Sequence, residues 1–175
     1  MFLRAWRRET AQGSYEMREN STADVIRDQE YYMRAALELA REAAADGEAP
    51  VGCVVTDADG AIIGRGRNRR ENRKDATAHA ELLAIAGACK AAGDWRLTGC
   101  SLYVTLEPCP MCAGAMIMSR IGRVFYGARE ERTGSCGSVI NLFMEPYGCD
   151  TQVTGGLLAD ECSGLLSEFF SSLRE

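Results

Sequence analysis

The chain has 175 residues, 46% of them hydrophobic, and a formal net charge of −5. That length and apolar content suit one domain with a substantial core, and the composition excludes a chain disordered throughout. No apolar run reaches bilayer-spanning length, and Arg4, Arg7 and Arg8 stand where a secretory leader needs its apolar segment, so no membrane partner and a cytoplasmic address are expected.

Residues 1–27 mix charge with Ser, Thr, Gln and Asn without sustained periodicity and are expected to form a poorly ordered extension. Residues 28–175 would then be the folded domain. A first helix is expected from about Asp28 to Asp46, with Met33, Ala36, Leu37, Ala40 and Ala44 as its buried stripe and Gly47 at its end. The β-branched runs Val51–Val55 and Ala61–Gly64 flank Asp57-Ala58-Asp59-Gly60, a hairpin signal. Thr77 is an N-cap candidate for a helix through about Ala92, closed by Gly93. A strand at Ser101–Thr105 stops at Pro108, a helix follows from Cys109 to about Ser119, and Arg123–Gly127 reads as the next strand. A helix around Val139–Met144 and a weak strand near Thr151–Thr154 come next. The last helix carries an apolar face of Cys162, Leu165, Leu166, Phe169, Phe170 and Leu173. This element order predicts a central sheet with helices on both faces.

Two short stretches carry the chemistry. Thr77-Ala78-His79-Ala80-Glu81 holds the one histidine of the chain and a carboxylate two residues later; Glu107-Pro108-Cys109-Pro110-Met111-Cys112 holds two thiols at CxxC spacing. His79, Cys109 and Cys112 make an N/S ligand set for a tetrahedral zinc ion, and three ligands leave one position open for water. Spacing i, i+3 puts both sulfurs on one helical face, and a helix N-terminus favours thiolates. Glu81 follows His79 too closely to be a comfortable fourth ligand, and is placed instead to move a proton from the water.

The other six cysteines are not assigned to the metal. Cys53, Cys89, Cys100 and Cys162 fall on apolar periodic positions or element ends, whereas Cys136 and Cys149 lie in glycine-containing connections. The acidic total argues mildly against nonspecific nucleic-acid binding. The charge is segregated, however. Arg65, Arg67, Arg69, Arg70, Arg73 and Lys74 stand together against Glu71 alone, just before the His79 motif, as a solvated loop or an RNA-contact patch.

The pairing H-x-E with P-C-x-x-C is the signature of the zinc nucleobase deaminases. From about Glu30 onward the chain resembles the bacterial tRNA-specific adenosine deaminases of the cytidine deaminase-like superfamily. The resemblance rests on Ala49-Pro50-Val51-Gly52, Asn68, Asp75–Glu81, the run Leu102–Ala115 that contains Thr-Leu-Glu-Pro-Cys-Pro-Met-Cys, Ser119–Val124, Gly127-Ala128-Arg129 and Gly156–Cys162. It implies a three-layer α/β/α fold around a mixed five-stranded sheet, and a homodimer with one zinc per subunit. It implies deamination of adenosine to inosine at the wobble position of a tRNA anticodon, with zinc-bound hydroxide as nucleophile and Glu81 as proton shuttle. Asn68, Ala80 and Pro108 would then contact the nucleotide.

The chain departs from the family pattern in two places. Tyr147-Gly148-Cys149-Asp150 stands where an Asn-His pair is common, and Glu130 where an aspartate is common. Two other readings stand beside this one. The same zinc and glutamate would serve a deaminase of a free base such as guanine, and a fourth ligand from a distant cysteine would make a noncatalytic zinc module.

Overall fold

The computed structural model describes residues 6–9, 15–18, 22–148 and 150–174, with side-chain surroundings from Asp28 onward. An antiparallel pair, β1 (Trp6–Glu9) and β2 (Tyr15–Arg18), precedes helix α1 (Thr22–Ala45). Much of the stretch read as an extension, 1–5, 10–14 and 19–21, lies outside the described residues. Helix α1 starts six residues before the expected Asp28, because no glycine or proline interrupts the chain from Thr22 to Asp46. Its buried stripe is Met33, Ala36, Leu37, Ala40 and Ala43, so the stripe turns one residue earlier than the Ala44 of the sequence pattern. Gly47, at φ +76°, closes the helix in the left-handed conformation that glycine adopts without penalty.

Five strands form one sheet in the order β4-β3-β5-β6-β7, with β3 Gly52–Thr56, β4 Ile62–Arg67, β5 Ser101–Leu106, β6 Arg123–Ala128 and β7 Gln152–Gly155. β3 runs antiparallel to β4 and β5, while β5, β6 and β7 are mutually parallel, giving the expected mixed sheet. Side chains alternate across it. Cys53, Val55, Leu102, Val104, Val124 and Tyr126 pack against α3 (Ala80–Ala92) and α4 (Pro110–Met118). Val54, Tyr103 and Phe125 face Tyr32, Ala35 and Leu39 of α1, with the Tyr103 and Phe125 rings stacked at 4.8 Å. Helix α5 (Ala159–Ser172) lies beside α1 on that second face, its Cys162 buried against Met33, Leu37 and Ala128. Sheet between two helical layers makes the three-layer α/β/α architecture. With both faces covered, the central strands read as continuous apolar runs.

Two local readings are corrected. The segment expected as a helix at Val139–Met144 holds only a 3-10 turn, Leu142–Met144. Gly137 and Pro146 leave too short a stretch for a helix, and Asn141 turns the chain by accepting the Phe143 N–H at 3.2 Å. In the basic stretch, by contrast, a one-turn helix α2 (Arg70–Arg73) forms where a loop was expected.

Helix α3 sits directly on β4 because two strand positions lack side chains. A Cβ on Gly66 would lie 2.0 Å from the Ala80 carbonyl oxygen and 2.7 Å from the Ala84 nitrogen. Gly66→Ala must therefore lift the N-terminal end of α3 off the sheet. A loss of about 1–3 kcal/mol is expected from such overpacking, measurable as a lower urea midpoint with unchanged slope.

Candidate active site

The site gathers where β4 leads through α2 into α3 and where β5 leads into α4. The sequence offered Thr77 as the N-cap of α3, but the N-cap residue is His79 and the helix begins at Ala80. Thr77 is held instead by Asp75, whose Oδ1 accepts its N–H at 2.8 Å and its hydroxyl at 2.6 Å in a local Asx turn. The capping acceptor for α3 comes from outside the helix: Asn68 Oδ1 takes the Ala80 N–H at 3.1 Å. Cys109 is likewise the N-cap residue of α4, Pro110 opens the first turn and Cys112 follows on it. Imidazole and thiols thus converge from two helix N-termini, as the spacing implied.

His79 Nδ1 lies 3.8 Å from Cys109 Sγ and 3.5 Å from Cys112 Sγ, and the ligand atoms of all three lie within 4.8 Å of one another. Zinc bonds of about 2.1 Å to nitrogen and 2.3 Å to sulfur, at a tetrahedral angle, separate those atoms by about 3.6 Å, so the donor set fits zinc. Among the described residues no further Cys, His or carboxylate joins the group. The thiols differ in proton affinity. A hydrogen bond from Cys112, opposed by burial and aided by His79, pulls Cys109 down to about 4. The same hydrogen bond, with burial, pushes Cys112 well above the ordinary thiol range, and His79 is raised by its hydrogen bond to Cys109. Glu81 is 4% exposed, and burial lifts its carboxyl above the usual range.

A cavity of about 360 Å³ opens over this group, with His79, Cys109 and Glu81 in its lining. Asn68 and Arg70, then Arg129, Glu130 and Thr133, and Leu166 and Phe170 of α5 also line it. Ala80 and Pro108, expected at the base, are buried and do not line it; the Pro108 carbonyl accepts the Ser135 N–H at 2.8 Å. The basic patch is divided. Arg70 reaches the cavity; Arg67 is bound by Asp46 at 2.7 Å and Glu42 at 3.5 Å; Lys74 faces Glu71 at 3.8 Å. Arg65 lies in a separate groove between α1 and β4, Arg69 is tied through its N–H to the Ala78 carbonyl, and Arg73 is exposed on α2.

Several wall residues were not singled out as site residues from sequence. Arg129 is the first residue after β6, and Phe170, counted in the sequence with an apolar face, is 44% exposed and lines the cavity. Glu107 was visible as a charge inside an apolar run, and it is 2% exposed. Of the remaining cysteines, Cys53, Cys100 and Cys162 are buried, Cys89 and Cys136 half-buried, and Cys149 lies outside the described residues.

An α/β/α sandwich with three N/S donors that fit zinc, and a buried carboxylate beside them, has the parts of a zinc-dependent hydrolase. The chain belongs to the family with the cytidine and deoxycytidylate deaminase zinc-binding region, whose model matches residues 26–128. It is 47% identical over 147 residues to a tRNA-specific adenosine deaminase of Bacillus subtilis, covering 83% of this chain and 91% of that one. A solved structure from work on A-to-I editing by tRNA:A34 deaminases superposes with a TM-score of 0.74 at 41% identity, over 77% of this chain and 98% of that one. A guanine deaminase from Nitrosomonas europaea superposes at 0.70 with 29% identity, over 81% and 84%.

Proposed function

We infer that the protein is a zinc-dependent hydrolase that converts adenosine to inosine at the wobble position of a tRNA anticodon. The observation that carries this reading is the cavity itself: the buried Glu81 and the His79–Cys109–Cys112 group meet in a pocket flanked by Arg70 and Arg129. A free base needs neither arginine, whereas a nucleotide within RNA brings phosphates that pair with guanidinium groups. Zinc held by His79, Cys109 and Cys112 supplies a Lewis acid that makes water a nucleophile at neutral pH.

The chain's own groups do the rest. Glu81 takes a proton from the attacking water and delivers it to the purine ring nitrogen beside C6, and a further proton passes through it to the departing amine. Water adds at C6, the C6–N bond breaks, and inosine and ammonia leave. Burial suits Glu81 to this work, because desolvation lifts its carboxyl above the usual range and so makes it a stronger proton acceptor. With its Oδ1 given to Ala80, Asn68 has its amide N–H groups left to donate to the nucleotide. Glu130 uses Oε1 to accept the Arg132 N–H at 2.8 Å, so its longer side chain bends back on its own turn. The other departure lies farther out: Tyr147 is 59% exposed, and the Gly148 carbonyl accepts a hydrogen bond from Arg120 at 3.4 Å.

A homodimer forms part of this reading. Met118 and Met144 are 72% and 79% exposed, and Val139 and Ile140 are 53% and 45% exposed, on α4 and the segment packed against it. No described helix is long and apolar enough to cross a membrane; a cytoplasmic address, beside its tRNA substrate, belongs to the same reading.

Incubating the zinc-loaded protein with an anticodon stem-loop RNA bearing a wobble adenosine, beside a panel of free bases, tests the assignment. Inosine in the RNA and no ammonia from the bases is the expected result. Ammonia from guanine with the RNA untouched would transfer the same chemistry to a free base. Inertness toward both would leave a noncatalytic zinc module.

A further inference from the structure

We propose that Glu107 is a positioning residue that locks the segment from Arg129 to Ser138 into place as one wall of the substrate cavity. The segment carries three wall residues, Arg129, Glu130 and Thr133, yet contains no helix or strand to hold them. Beside backbone bonds of its own, such as the Gly134 N–H to the Glu130 carbonyl at 2.9 Å, one buried carboxylate gathers it onto the end of β5. Glu107 accepts the N–H of Glu130 at 3.1 Å, of Cys136 at 2.9 Å and of Ser138 at 3.1 Å, and a short hydrogen bond from the Ser138 hydroxyl. Its oxygens therefore tie down both ends of the segment. The next residue repeats the tie, since the Pro108 carbonyl accepts the Ser135 N–H at 2.8 Å.

The fit leaves no room for a side chain facing the carboxylate. A Cβ on Gly134 would stand 2.6 Å from Glu107 Cδ and 2.4 Å from the Glu130 carbonyl oxygen. Only an ionised carboxylate offers acceptor capacity to four donors at once. Glutamine in its place would turn an NH₂ group toward N–H or O–H donors. Glu107 lies two residues from Cys109, so the wall is keyed directly to the helix that supplies two metal ligands. Substrate held by Arg129 is thereby registered against Glu81.

The proposal rests on the adenosine deaminase reading for its substrate half, and its test has a half that does not. Zinc-loaded Glu107→Gln and wild type are compared by zinc content, amide exchange, and KM and kcat for inosine formation in the stem-loop RNA. Expected are one zinc per chain in both, exchange at least tenfold faster at residues 130 to 138 in the variant, and KM raised about tenfold with a smaller change in kcat. Glu107→Asp, which keeps the charge, should recover part of the KM loss. Unchanged exchange would overturn the proposal; so would faster exchange with wild-type KM, or a kcat loss that merely tracks lost zinc. If Glu107→Gln does not fold, Gly134→Ala crowds the same carboxylate and should show the same KM signature, and a wild-type KM there overturns the idea equally. A wild type inactive on the RNA sinks the functional reading and the substrate half, while the exchange data still report on the lock.

Discussion

Glu81→Gln in the zinc-loaded protein is expected to slow inosine formation by roughly 10²- to 10⁴-fold, with zinc content and folding midpoint little changed. The size of the loss follows from what an amide cannot do. It neither accepts the proton of the attacking water nor returns one to the ring nitrogen or the leaving amine. The small effect on stability follows from burial. At 4% exposure the wild-type carboxyl is lifted above the usual range by desolvation, so a neutral isostere removes an ion that the surroundings already disfavour. Because Glu81 does not join the ligand-atom group, the metal should stay. Single-turnover rates with metal analysis of the same samples check both halves. A rate within threefold of wild type would remove Glu81 from the proton path.

Much of this site could be read from residue order, because metal ligation imposes residue types as well as positions. Only Cys and His supply thiolate and imidazole, and the chain has a single histidine. The i, i+3 thiols needed only a helix start after Pro108 to converge. The sheet was legible for a similar reason: strands covered on both faces cannot hide their apolar runs. What was not legible depends on contacts distant in sequence. Nothing local says that Arg67 is spent on Asp46 and Glu42 while Arg70, three residues on, reaches the cavity. The N-cap of α3 lies at His79 and not at Thr77 because the acceptor for the first N–H of the helix comes from Asn68, twelve residues before Ala80. Phe170 fitted an amphipathic stripe equally well as core or as cavity wall, and only the packing of α5 decides. Glu107 shows the same limit, since its donors lie 23 to 31 residues downstream.

Cys112→Ala should abolish tight zinc binding and, with it, deamination. Cys112 is fully buried, and among the described residues no other Cys, His or carboxylate joins its group. The effect on stability separates metal from packing. Loss of one sulfur from a buried position costs about 1 kcal/mol on its own. Free zinc at about 100 times Kd adds about 2.7 kcal/mol to wild type by mass action and should add nothing to the variant. The pH dependence follows from the two thiols. Near neutrality Cys109, at about 4, is already a thiolate, whereas Cys112, raised by its hydrogen bond to Cys109 and by burial, still holds its proton. Zinc must displace that proton together with any held on His79, which its hydrogen bond to Cys109 raises, so uptake at neutral pH releases at least one proton and apparent affinity falls as pH is lowered. Calorimetric titration in buffers of different ionisation enthalpy measures the release directly. Uptake without proton release would mean that both thiols were already ionised, and that the shared proton between them is not what sets the affinity.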